Sequence, residues 1–215
     1  MAKRLAPLTG VVFVILLLVS VIVGTNSLTA SSSPADVLAY YASHTDASRV
    51  SGLLEMLAVV VGVIFYGLLR DFLRSPEPSR GLTATAFGGV ILFAASLLIS
   101  AGTQWALADS PSHLSADAAQ ALNLIDADVS APFAFAGIAT FLFCFGFVIV
   151  NSRSLPTWLG WAALFCALMA LIPPVAFVAW IGAGIWTLLV SLVMWRHPSH
   201  AASVPAPATS TSATT

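Results

Sequence analysis

The chain has 215 residues, of which 59% are hydrophobic and only 8% charged, with a formal net charge of −1. A soluble domain carries about 25% charged residues, so this surface cannot be covered against water and most of it must face lipid. A mean hydropathy of +0.96 agrees. The near-zero net charge excludes a basic field for nucleic acid. The two cysteines, Cys144 and Cys166, both lie inside apolar runs, which excludes an extracellular disulfide framework and a CxxC metal site. The arginine and alanine bias suggests a GC-rich bacterial genome.

A hydrocarbon core about 30 Å thick needs roughly 20 apolar residues of helix, and a backbone inside it must satisfy its own hydrogen bonds. Six stretches qualify in chain order: 5–23, 50–69, 83–105, 130–150, 155–172 and 176–195. The second contains a carboxylate, Glu55. The fourth contains Phe141-Leu-Phe-Cys-Phe-Gly-Phe147, whose alternation imitates a strand, but the apolar run is about twice a membrane strand in length. The fifth and sixth form nearly unbroken apolar sequence from Leu155 to Trp195, divided by Pro173-Pro174. Proline removes a backbone donor and restricts its predecessor, so a tight helical hairpin is expected there, with one long kinked helix as the alternative. The expected architecture is an all-α, polytopic membrane helical bundle of six transmembrane helices (residues 1–197), followed by a Pro/Ala/Ser/Thr tail, 198–215, expected to be disordered and cytoplasmic.

Lysine and arginine collect in cytoplasmic loops. Lys3, Arg4, Arg70, Arg74, Arg80, Arg153 and Arg196 fall on one side of a six-span arrangement and only Arg49 on the other, which carries Asp36, Asp46, Asp109, Asp117, Asp126 and Asp128. Both termini are therefore expected in the cytoplasm and the chain in the plasma or inner membrane. A competing reading makes residues 1–30 a cleaved signal peptide, with Lys3-Arg4 as its basic start. It leaves the rest of the topology unchanged.

Two short amphipathic helices are expected on the outer side. Ser33-Pro34-Ala35-Asp36 has the pattern of a capped helix start. Val37, Leu38 and Tyr41 share a face beside Tyr40, which suggests a helix lying on the outer leaflet. The second starts at Ser115, passes Asp117, Leu122, Asn123 and Ile125, and leads toward Asp128 almost directly into the fourth span. The pair either forms a functional cap or merely seals the bundle.

Glu55 is the main candidate for chemistry. A carboxylate at the bilayer centre costs about 2.5–3.5 kcal/mol on insertion scales. It should therefore face the bundle, on a stripe of Ser48, Ser51, Gly52, Ala58, Gly62 and Tyr66, with Leu53, Leu57, Val60 and Ile64 opposite. Comparable stripes run through Thr85, Gly89, Ser96, Ser100 and Thr103 with Gln104 nearby, through Gly137, Thr140 and Cys144, and through Gly184, Thr187 and Ser191. Glu55 is either a proton-exchanging or cation-binding group with Asp126 or Asp128 nearby, or a structural residue tied to hydroxyls or to Arg49. The four histidines, His44, His113, His197 and His200, have no metal-ligand spacing, and GxSxG, Walker and GxGxxG motifs are absent. No enzyme activity, cofactor or metal is expected. Trp105, Trp158, Trp161 and Trp195 lie near span ends, as interfacial anchors do.

The segment Leu155-Pro-Thr-Trp-Leu-Gly-Trp161 resembles the (I/L)-P-R-W-L-G-W signature of small bacterial membrane proteins grouped as domain of unknown function 4386, with Thr157 in place of the basic residue. The Tyr40-Tyr41 outer helix and Ala121-Leu-Asn123 are similar to that group too. The resemblance implies a membrane protein without assigned activity, and transfers no site residue. Two functional expectations follow. The first is a structural or accessory membrane component that contacts lipids and packs with other membrane proteins or with itself. The second is a small transporter or ion-coupled permease using Glu55.

Overall fold

The computed structural model describes residues 5–24, 28–73, 80–109 and 113–196. The expected tail, together with Lys3, Arg4 and Arg74 of the orientation argument, lies outside them. Among the described residues the chain is an all-α bundle without strands. A 3₁₀ turn, Ala6–Leu8, leads into α1 (Thr9–Val23). Then come α2 (Pro34–Ser43), α3 (Thr45–Leu73), α4 (Arg80–Asp109), α5 (Ala116–Leu124), a π-helical stretch Ile125–Ser130, α6 (Ala131–Ser152), α7 (Thr157–Ala170), a 3₁₀ turn Pro173–Val175 and α8 (Ala176–Arg196). Five helical runs are long and apolar enough to cross a membrane: Ala6–Val23, Thr45–Leu73, Arg80–Asp109, Ala116–Ser152 and Pro173–Arg196.

The fifth expected span, 155–172, is shorter than read. Its helix α7 has 14 residues, about 21 Å at 1.5 Å per residue. Prolines set both limits. Pro156 is the residue before the first helical turn. At the other end Ile172 is extended (φ −107°, ψ 103°), the conformation that a following proline imposes. The chain does turn back there. Trp186 Nε1 donates to the Leu159 carbonyl at 2.9 Å, and Cys166 stands against Gly182. Pairs at such opposed positions require an antiparallel hairpin, not one kinked helix.

Every consecutive long helix runs antiparallel to its predecessor. Ser51 Oγ donates to the Ser20 carbonyl at 3.0 Å, joining the end of α1 to the start of α3. Arg49 bonds Asp109 at 2.7 Å, joining the start of α3 to the end of α4. Gly137 faces Phe93 while Gly89 faces Phe141 across α4 and α6, and Gly146 faces Gly160 across α6 and α7. Finally Ser191 Oγ donates to the Pro7 carbonyl, so the last helix finishes beside the start of the first. Both described ends of the chain thus lie at one end of the bundle, together with Arg70, Arg80, Arg153 and Arg196. The other end carries α2, α5 and six aspartates, Asp36, Asp46, Asp109, Asp117, Asp126 and Asp128, while Asp71 lies beside Arg70.

Packing follows the small-residue stripes. Ser48, Ser51, Gly52, Glu55, Ala58, Gly62 and Tyr66 are all buried, whereas Leu53, Leu57, Val60 and Ile64 on the opposite face are exposed. Exposed apolar side chains of this kind suit lipid as solvent. The phenylalanine run of α6 resolves into two helical pairs. Phe141 and Phe145 are buried, and Phe143 and Phe147 stack on each other outside. Inside, Tyr66 is surrounded by Phe13, Phe65, Phe141 and Phe145, with ring centroids 5.0 to 6.3 Å away. Its hydroxyl meets Thr187 Oγ1 at 2.7 Å.

Candidate functional site

The end opposite Arg196 is closed by a cap. Ser33 Oγ accepts from the Asp36 amide at 3.2 Å and donates to its carboxylate at 2.6 Å, the expected reciprocal helix start. Ser115 caps α5 in the same way, accepting from the Ala118 amide. The apolar face of α2 does not lie on lipid. Val37 and Tyr41 are buried against Leu107, Ala108 and Ala119 of α4 and α5. The reason is that α5 offers a complementary apolar face, and a protein partner packs more closely than headgroups do. Gln120 and Asn123 on α5 donate to the Ala30 and Thr29 carbonyls at 2.9 and 3.0 Å, which ties the preceding loop to the same cap.

Beneath this cap lies a cluster of polar side chains, here called the polar chamber. Glu55 projects from the second turn of the apolar part of α3 and is 8% exposed. Gln104 and Ser100 of α4 and Ser20 of α1 lie within reach of its carboxyl. Gln104 also donates to Ser100 Oγ at 3.0 Å. Glu55 Oε2 is buried without a hydrogen-bond partner among the described residues, and so is Ser20 Oγ. The second carboxyl is that of Asp126, on the π-helical stretch. It reaches Ser100 and Thr103 and acts electrostatically on Glu55. Ser100 is therefore common to the two acids. Tyr41 roofs the chamber. Burial pushes its hydroxyl above the usual tyrosine range, reinforced by Asp126, Tyr40 and Glu55.

Of the candidates read from the sequence, Glu55 and Asp126 converge, whereas Asp128 is exposed two residues on, outside the chamber. Arg49 is not the partner of Glu55, because its guanidinium is taken by Asp109. Ser100, Thr103 and Gln104 enter from the predicted stripe of the third span. Ser20 was not singled out, although it is the one polar side chain between Val11 and Val23, and that isolation was its signal. Cys144 and Cys166 are free thiols, remote from the chamber. Leu155–Trp161 lies at the opposite end of the bundle.

No protein-family model matches this chain, and no curated protein or solved structure matches it either. The chamber must be read from its own chemistry. Asp126 acts on Glu55 across the chamber, and among the described residues none of the groups acting on either acid is basic. Among the described residues no three His, Cys, Asp or Glu side chains group as metal ligands, and the polar groups beside the two acids are hydroxyls and one amide.

Proposed function

We propose that the protein is a six-span protein of the cell membrane with both termini cytoplasmic. Its role in this reading is that of a non-catalytic accessory component, packing with other membrane proteins or a second copy. The orientation is supported by Arg70, Arg80, Arg153 and Arg196 at one end and the aspartate-rich cap at the other, since basic residues favour the cytoplasmic face. Helix α7 serves as a short sixth span, accommodated by local thinning of the bilayer. Helix α1 stays with the bundle in this reading, because Phe13, Val14 and Leu17 belong to its core. Cysteine labelling tests the arrangement. In a Cys144→Ala/Cys166→Ala background, Ala35→Cys should react with an impermeant maleimide in intact cells. Ser154→Cys should react only after lysis. The reverse pattern would overturn the orientation.

One observation favours the accessory role over a conduit. Below the chamber the bundle axis is filled by Phe13, Phe65, Tyr66, Phe93, Phe141 and Phe145. Ion pathways through membrane helices are lined by polar groups or water, and an aromatic plug offers neither. The convergence of Glu55 and Asp126 favours a second reading, an ion-coupled permease. Reconstitution separates the two. Proteoliposomes given a proton or sodium gradient should show no flux above empty vesicles. Flux abolished by Glu55→Gln would establish the permease instead.

A further inference from the structure

The chamber holds two orphaned oxygens on different helices, the Ser20 hydroxyl being within reach of the Glu55 carboxyl. Among the described residues Glu55 Oε2 on α3 and Ser20 Oγ on α1 are both buried without hydrogen-bond partners. An unpaired buried polar atom costs about 1–3 kcal/mol, more when charged, so two at one place call for a common ligand. Asp126 brings a second acid to the same place, carried on a π-helical stretch, a rare feature found frequently at functional sites. Ser100 lies within reach of both acids. Arg49 and Asp109, the one ion pair near this end among the described residues, are closed on each other at 2.7 Å. From the cap, Tyr41 faces the pair, and Tyr40 and His44 stack on each other outside it at 4.4 Å.

We propose that the chamber is a binding site for a hard metal cation, held by the oxygens of Glu55, Asp126, Ser20, Ser100 and Gln104 and entered from the capped end. Every donor is oxygen, which selects hard cations over zinc or copper. Two carboxylates match a divalent charge. Calcium is the best fit, because it accepts six to eight oxygens in flexible geometry, whereas magnesium demands a strict octahedron and retains several waters. Binding joins α1, α3, α4 and the π-helical stretch beneath the cap, and does not require ions to cross the membrane. The proposal therefore stands apart from both functional readings above.

The test is a titration of the full-length protein in nanodiscs, freed of metal by a chelator and followed by thermal unfolding and calorimetry. Calcium chloride should raise Tm saturably, on the order of 5 °C, with sodium and magnesium giving much less. Glu55→Gln and Asp126→Asn should each weaken calcium binding at least about tenfold, while Asp128→Asn, outside the chamber, should leave it unchanged. Should either acid variant fail to fold, Ser20→Ala must still weaken binding several-fold. A calcium response that survives Glu55→Gln and Asp126→Asn would overturn the site, as would one equally lost in Asp128→Asn. So would a wild-type protein that responds to pH through Glu55 but to no metal, since the acids would then hold a proton alone.

Discussion

Gly137→Ala should cost the protein about 1–3 kcal/mol of stability, and Gly137→Leu should prevent assembly of the bundle. The reason lies in what the new atom meets. A Cβ at Gly137 would sit 2.6 Å from the Phe93 amide nitrogen and 2.8 Å from the Gly89 carbonyl oxygen. Both are backbone atoms of a helix, so no rotamer change can relieve the clash. The helices α4 and α6 must separate, losing contacts along their whole crossing. Overpacking a close-packed interior costs about 1–3 kcal/mol where neighbours adjust slightly, and more where they cannot. In lipid this contact matters all the more, because van der Waals packing rather than water exclusion drives helix association. Gly102→Ala is the control. No atom lies within 4 Å of its Cβ position, so its Tm should stay level or rise slightly from improved helix propensity. Thermal unfolding and size-exclusion profiles in detergent read both. Equal behaviour of the two variants would remove the crossing from the account.

The face of α3 was legible in the sequence because a period of 3.6 leaves little choice once a carboxylate and several small residues recur along a run of aliphatics. The stripe on α4 was only partly legible. Ser96 and Thr103 point inward, but Thr85 is exposed and bonds the Gly81 carbonyl at 3.1 Å. A hydroxyl in a helix can satisfy itself on the preceding turn, so threonine is compatible with lipid and marks no face by itself. Thr140 behaves alike, bonding the Ala136 carbonyl at 2.8 Å.

The choice between Asp126 and Asp128 was not legible at all. Both lie on the same polar stretch, two residues apart, and a helical projection gives each a plausible inward phase. The deciding feature is the π-helical winding of Ile125–Ser130, which shifts the phase between α5 and α6 and turns Asp126 toward Ser100. No residue pattern announces such a stretch. The length of α7 was hidden for a related reason. Apolarity continues through Leu171-Ile172 while helicity does not, because Pro173 acts on backbone geometry and not on hydropathy.

Tryptophan carries the second large effect. Trp105, Trp158, Trp161 and Trp195 were read as interfacial anchors, and all are exposed. Trp186 is different. It is only 2% exposed, and its indole donates to the Leu159 carbonyl at 2.9 Å, locking α8 onto the first turn of α7. Trp186→Ala should therefore destabilise the protein by about 3 kcal/mol. That is the low end for truncating a buried aromatic, because the transfer part of the cost shrinks where lipid replaces water while the cavity part remains. The short α7 depends on this contact more than a full-length span would, having fewer turns to pack. Trp161→Ala removes a side chain of similar size that is 61% exposed, and should cost less than about 1 kcal/mol. Chemical unfolding in mixed micelles compares them. If the two variants lose equal stability, the α7–α8 hairpin is held by its lipid-facing surface rather than by the buried indole.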